Sequence, residues 1–283
     1  MSSSRARSAD RLAAAVVWSV AGLISLIFLW LLSDIARHGL ARISWDFLTT
    51  APRNAGREGG LAPVLLSTAW ILVVCMLASL PLGLGTAILL AEFAGEGRFA
   101  RIVRRSLDVL AGVPSIVFGL FGNAFFSRTL GLGFSILAGG LTLACMVLPI
   151  LIRTAEEGLR SVTREYRLGA AALGISRGST LVHLLLPAAV PGLMVGFVLG
   201  LGRAIAETAA LIFTSGYVDR MPGSWLDSGR ALTVHIFDLS MNVPGGDPSA
   251  YGAALVLIAI LFAANSAAWT LARRWLNRTL VHA

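Results

Sequence analysis

An arginine and a glutamate stand four residues apart inside a long apolar stretch, Pro187 to Thr214, that holds no other charge. An ionised side chain at bilayer depth costs about 2.5–3.5 kcal/mol on insertion scales, so Arg203 and Glu207 need a reason to be there. Arginine keeps its charge and presents a planar fork of donors that matches an oxyanion. Glu207 can neutralise that fork while no anion is present, and on one continuous helix the two share a face. With Arg preceding Glu the helical order is the less favourable one, which suits a pair that must separate. The competing assignment is a permanent ion pair that fastens two helices. Ser115 and Asn123 in an earlier apolar segment, with Thr208 and Thr214 in this one, could line a polar path. Taken singly, Ser and Thr in membrane helices are expected to bond back to their own backbone.

The elements that must position these residues read as membrane helices. Hydrophobic residues make up 56% of the chain and charged residues 13%, against about 25% charged in ordinary soluble domains. The mean hydropathy is +0.79. Apolar segments near the roughly 20 residues that a bilayer requires run from Leu12 to about Ser33, Pro63 to Ala91, Ser106 to Ser127, Phe134 to Ile152, Pro187 to Thr214, and Ala250 to Leu271. The first is longer than a signal-peptide core and reads as a retained helix. Pro81, Gly83 and Gly85 mark expected kinks in the second. In the fifth, Gly192, Gly196, Gly200, Ala204 and Thr208 recur at intervals of four, a spacing of small residues that lets another helix approach closely. Glu92 to Arg105 reads as a short charged loop. Ser215 to Pro248 reads as a polar connection with apolar patches around Leu232 and Phe237.

The division is an N-terminal tail over 1–11, a first helix and outer loop over 12–62, a core over 63–272 with a polar loop at about 153–183, and a tail over 273–283. Of the 23 basic residues, all arginine, 15 fall on the face that carries both termini and seven on the other. That bias places the termini in the cytoplasm. Cys75 and Cys145 lie in apolar runs and read as packing residues. His183 and His235 lack companions at metal-ligand spacing, so no metal site is expected. Asp108 suits a helix N-terminus, and Asn265 suits a helix–helix hydrogen bond. No phosphate-binding loop with its lysine is present, and no Ser/His/Asp set or HExxH motif appears, so neither ATP hydrolysis nor another catalytic activity is expected of this chain.

The loop before Pro187 holds two short helical patterns broken at Ser161-Val-Thr163, with Thr163 placed to cap the second. An alanine-rich helix-turn-helix on the cytoplasmic face suits docking into a groove of another protein; the plainer alternative is an amphipathic connector. Gly174, nine intervening residues and Leu184-x-Leu186-Pro187 resemble the loop signature of ABC importer permeases. In that family a Glu-Ala-Ala-x-x-x-Gly segment forms the coupling helix that docks onto the ATP-hydrolysing subunit. Here Leu168 stands where the glutamate would, followed by Gly169 and Ala170, and the nearest acid is Glu165. The resemblance implies that Glu165, Leu168, Gly169, Ala170 and Gly174 form the ATPase-coupling segment.

Leu107 to Gly122 and Arg203 to Thr214 are similar to the phosphate-specific permeases of that family. Leu232-Thr-Val-His-Ile and Asn265 are closer to their A-type than to their C-type subunit. The resemblance covers about Leu61 to the end. It implies an all-α, six-transmembrane-helix, type I (MetI-like) permease in the inner membrane of a prokaryote. It further implies a C-type partner permease, two ATP-binding subunits and an extracytoplasmic phosphate-binding protein, and no cofactor. Arg203, Glu207, Thr208, Ser115 and Asn123 would lie on the substrate pathway. A sulfate or molybdate permease and a passive anion channel are the competing functions. An intramembrane enzyme would need a nucleophile–base pair that the sequence lacks.

Overall fold

The computed structural model describes residues 2–95 and 97–281, with side chains over 10–95 and 97–273. Arg5, Arg7, Arg274 and Arg278, which enter the charge bias, lie outside the described side chains. Among the described residues, five helices are long and apolar enough to span a bilayer, and the number is six when a bent helix pair is counted as one span. The all-α expectation therefore holds, and the six-span expectation holds with that bent pair counted as one span.

The first helix, α1 (Ser2–Leu40), runs past the expected end at Ser33. Asp34 pairs with His38 one turn on, at 3.2 Å, and accepts the Tyr251 hydroxyl at 3.0 Å, so polar residues that look like loop are held within the helix. The connection after α1 folds into α2 (Trp45–Thr49), capped by the Ser44 hydroxyl, and a hairpin of β1 (Pro52–Arg53) and β2 (Glu58–Gly59). Helix α3 (Ala62–Phe93) passes Pro81, Gly83 and Gly85 unbroken.

The charged loop expected from Glu92 to Arg105 is largely helical. Helix α4 (Arg98–Ala111) carries Arg98, Arg101, Arg105 and Asp108 along one exposed face and buries Ala100 and Leu107 on another. The expected single span from Ser106 to Ser127 is instead broken: α4 and α5 (Ser115–Thr129) meet at 101°. Pro114 has no N–H to donate, and the α conformation is disfavoured at the preceding Val113, so the helix stops and restarts. Asp108 consequently sits in the third turn of α4 and not at a helix start.

Helix α6 (Ile136–Arg160) starts at the Ser135 cap and continues past the expected end at Ile152. The break at Ser161–Thr163 is present, and α7 (Arg164–Ala172) follows. Thr163 takes the N-cap position but makes no side-chain cap bond. The next helix, α8 (Arg177–Ile205), begins ten residues before Pro187, capped by the Ser176 hydroxyl. One wide turn over Leu181–Leu185, in which the Leu186 N–H reaches back to the Leu181 carbonyl, precedes Pro187.

At the other end α8 stops at Ile205, not Thr214. A short α9 (Ala209–Ile212) follows. The polar connection contains a buried helix, α10 (Leu232–Met241). The last helix, α11 (Asp247–Val281), extends beyond the expected Ala250–Leu271.

Helices α3, α6 and α8 form the centre. The main core joins Ile71 and Val74 of α3, Leu143 and Val147 of α6, Leu211 and Val234. The small-residue seam of α8 faces α6: a Cβ added at Gly192 would lie 2.6 Å from the Gly158 Cα, and one at Gly200 would lie 2.8 Å from Leu151. Only glycine allows this approach of two backbones. Ala204 is buried at the C-terminal end of the seam, whereas Thr208 lies beyond the end of the helix.

Candidate functional site

The end of α8 at Ile205 sets the geometry of the charged pair. Arg203 occupies the last turn, while Glu207 lies in the non-helical link to α9. They are therefore not two residues on one helical face, as the spacing alone predicts. The Arg203 Nη2 and Glu207 Oε2 are 4.0 Å apart, with side chains 53% and 8% exposed respectively. That separation permits Coulomb attraction but exceeds a hydrogen bond. Glu207 is held by other contacts. Its Oε1 accepts the Ala210 N–H at 3.3 Å, and its backbone carbonyl accepts the Thr233 hydroxyl of α10 at 2.6 Å.

Arg203 opens into a cavity of about 390 Å³ lined also by Val113, Met146, Pro149, Ile150 and Arg153. Met146, Pro149 and Ile150 lie near the middle of α6, so two guanidinium groups share a cavity partway along a membrane-spanning helix. Arg153 is already engaged: it pairs with Asp108 of α4 and donates to the Arg104 carbonyl at 3.1 Å. No hydrogen bond to the Arg203 guanidinium is formed among the described residues. Of the two, Arg203 is the one whose donors face open space.

The other expected pathway residues are less closely gathered. Ser115 begins α5 beside the break and does not line this cavity. Asn123 is committed elsewhere, donating to the Phe213 carbonyl at 2.7 Å. Thr208 takes the N-cap position of α9 without a side-chain cap bond. Thr214 donates to the Ala210 carbonyl at 2.8 Å, the backbone bond expected of a membrane threonine. Asn265 is exposed on α11.

At the far end of α6, α7 is pinned by a residue that the sequence did not single out. Arg167 makes a bidentate pair with Glu92 of α3, at 2.5 and 3.1 Å. It also donates to the Val162 and Leu159 carbonyls at 2.8 and 3.0 Å. Beside it, Glu156 is buried and accepts from both Arg104 and Arg160, at 2.8 and 3.0 Å. Ala170 packs inward, whereas Glu165 and Gly169 are exposed. Leu168 and Leu173 are 56% and 79% exposed. Gly174 takes a positive φ of 69°, which reverses the chain towards α8. The missed residues, Arg153, Glu156 and Glu92, all lie where an apolar segment gives way to charge, and hydropathy assigns such residues to loops.

In the connection between α9 and α10 and at α10 itself, Arg230 reaches Asp238 at 3.2 Å and Asp219 at 3.8 Å. It also donates to the His235 Nδ1 at 3.4 Å. His235 is 1% exposed. Burial first, and the Arg230 charge second, push its pKa down from 6.5 to about 4, while Asp219 and Asp238 pull the other way.

Known proteins agree with this architecture. Residues 79–280 match the family described as binding-protein-dependent transport system inner membrane component. The Probable ABC transporter permease protein YqgI of Bacillus subtilis is 32% identical, with 95% of each chain covered. The phosphate transport system permease protein PstA of Mycobacterium leprae is 35% identical over 86% of this chain and 82% of its own. PstA 1 of Mycobacterium tuberculosis is 34% identical over 88% and 83%. An inward-facing structure of the MetNI methionine ABC transporter superposes with a TM-score of 0.61 at 16% identity, covering 75% of this chain and 96% of that one. It shows a shared fold. The multi-span architecture and the family match over most of the chain lead to one conclusion: the chain belongs to the inner-membrane components of binding-protein-dependent transport systems.

Proposed function

We propose that this chain is the permease subunit, of A type, of an ATP-driven phosphate importer. One observation carries the reading: the unfilled guanidinium fork of Arg203 faces a cavity partway along a spanning helix that it shares with Arg153. Arginine donors match phosphate oxygens in a planar, bidentate way, and the relatives named for phosphate transport support that choice of anion. Glu207 offsets the charge of Arg203 when the cavity is empty. At 4.0 Å without a hydrogen bond, it can yield to an incoming anion and return after release.

The drive comes from outside the chain. One of the assembly's two ATP-binding subunits docks on α7 through exposed Leu168 and Leu173 and the neighbouring Glu165, so an apolar contact takes the place of the missing glutamate. Movement of α7 passes through Arg167 to Glu92 of α3 and to the end of α6. Helix α6 carries it as a rigid element to Arg153 and the cavity. A C-type permease supplies the other half of the pathway, an extracytoplasmic phosphate-binding protein delivers the anion, and both termini lie in the cytoplasm. Nucleotide hydrolysis belongs to the ATP-binding subunits.

Uptake of labelled phosphate in cells that lack their own high-affinity system, supplied with this chain and its partner subunits, tests the reading. The expected result is ATP-dependent uptake that excess sulfate or molybdate does not reduce. Competition by either oxyanion would make the chain a permease for that anion, and uptake without ATP would make it a passive channel.

A further inference from the structure

Helices α8 and α11 line an open groove of about 640 Å³ on the surface of the chain, with Pro191, Met194, Val198, Asn265, Trp269 and Arg273 among its walls. It runs from Pro191 to Leu199 on α8 and from Arg273 back to Asn265 on α11, nine residues on each, whose eight steps rise about 12 Å. The walls are apolar apart from Asn265 and Arg273. At one end the Arg273 guanidinium lies 4.7 Å over the Trp269 ring. Tryptophan and arginine together at the end of a span mark the level of the lipid headgroups. Arg274 and Arg278 follow in the sequence, and no acid occurs after Asp247, so this end of α11 is uniformly positive.

We propose that the groove binds an anionic phospholipid, with an acyl chain between α8 and α11 and its phosphate at Arg273. Basic pockets between membrane helices select such headgroups. The alternative occupant, a helix of a neighbouring subunit, fits less well. Closely packed helices meet through small residues, and the small-residue stripe of α8 is already spent on α6. The α8 wall of this groove presents Met194, Val195, Val198 and Leu199 instead, and on the α11 wall the bulky Trp269 stands between Ala268 and Ala272. The inference rests on the membrane setting of the chain and not on the role of Arg203, so loss of phosphate transport and loss of lipid binding are separable results.

The test places the assembled transporter in nanodiscs of phosphatidylcholine that contain a trace of phosphatidylglycerol with a photoactivatable acyl chain. Labelled peptides are then read by mass spectrometry. Saturable labelling of 191–199 and 265–272 is expected. Arg273→Gln should lower it about fivefold, and a phosphatidylcholine probe should label the unaltered protein correspondingly less. Val198→Trp, which fills the groove from its wall, should abolish labelling with the melting temperature unchanged. Equal labelling by both probes, no effect of Arg273→Gln, or cross-linking of a cysteine placed at 198 to a partner subunit would each overturn the proposal.

Discussion

Arg203 and Glu207 stand on opposite sides of a helix end, 4.0 Å apart and without a hydrogen bond between them. Had α8 continued, their spacing would have made them neighbours on one helical face. Because it stops at Ile205, the carboxylate is fixed by α9 and α10, through Ala210 and Thr233, while the guanidinium remains with α8. The two charges therefore belong to different structural pieces, and relative movement of those pieces changes the pairing.

The seam between α6 and α8 should tolerate no side chain. Gly192→Leu places a branched group where even a Cβ lies 2.6 Å from the Gly158 Cα. Overpacking of this kind costs about 1–3 kcal/mol, occasionally more. The variant should show a lower melting temperature in detergent and reduced membrane levels. Gly202→Ala is the matched control: nothing lies within 4 Å of its added Cβ, so the same measurements should show no loss.

Arg167 holds α7 to the membrane helices, and its removal should uncouple hydrolysis from transport. Arg167→Ala strands the Glu92 carboxylate and two carbonyls, a change on the order of 1–3 kcal/mol. Phosphate moved per ATP hydrolysed should fall about tenfold while the subunits still co-purify. Adding Glu92→Leu removes the stranded charge and should restore part of the assembly's thermal stability.

The six spans were legible because long apolar runs signal membrane helices, but their ends were not. Arg153, Glu156 and Asp34 read as loop residues by hydropathy. They sit in helices because Asp108, Arg104 with Arg160, and Tyr251 engage them across the fold. The break at Pro114 had a local signal in the Val-Pro pair, hidden by the apolar continuity of Leu107 to Gly122. The end of α8 had none. Ala206-Glu207-Thr208 contains no breaker, and the helix stops there with Glu207 held by Thr233, 26 residues away. The charged pair was thus found from composition, while its geometry depended on contacts that the local sequence does not encode.

His235 should make the packing of α10 sensitive to acid. Its pKa falls from 6.5 to about 4 on folding, so the native histidine stays neutral while the unfolded chain takes up a proton. Above pH 6.5 it imposes no penalty. As pH falls from 6.5 to 4 the unfolded state binds more protons and stability declines, by about 3 kcal/mol in all. His235→Gln retains an acceptor for Arg230 and does not titrate. Melting temperatures of the purified protein should show a shallower acid limb for this variant between pH 6.5 and 4, with the two curves parallel above pH 7.

The role of Arg203 is the centre of the account, and phosphate uptake by Arg203→Gln at matched membrane level tests it most directly. Loss of charge-assisted hydrogen bonds to an anion should lower uptake by about 10- to 100-fold, with the subunits still assembled. Arg203→Lys should recover part of it, since charge remains without the planar fork. Arg153→Gln should lower uptake less, because Asp108 already engages that guanidinium. Full uptake by Arg203→Gln would contradict the account and leave Arg203 and Glu207 a structural pair.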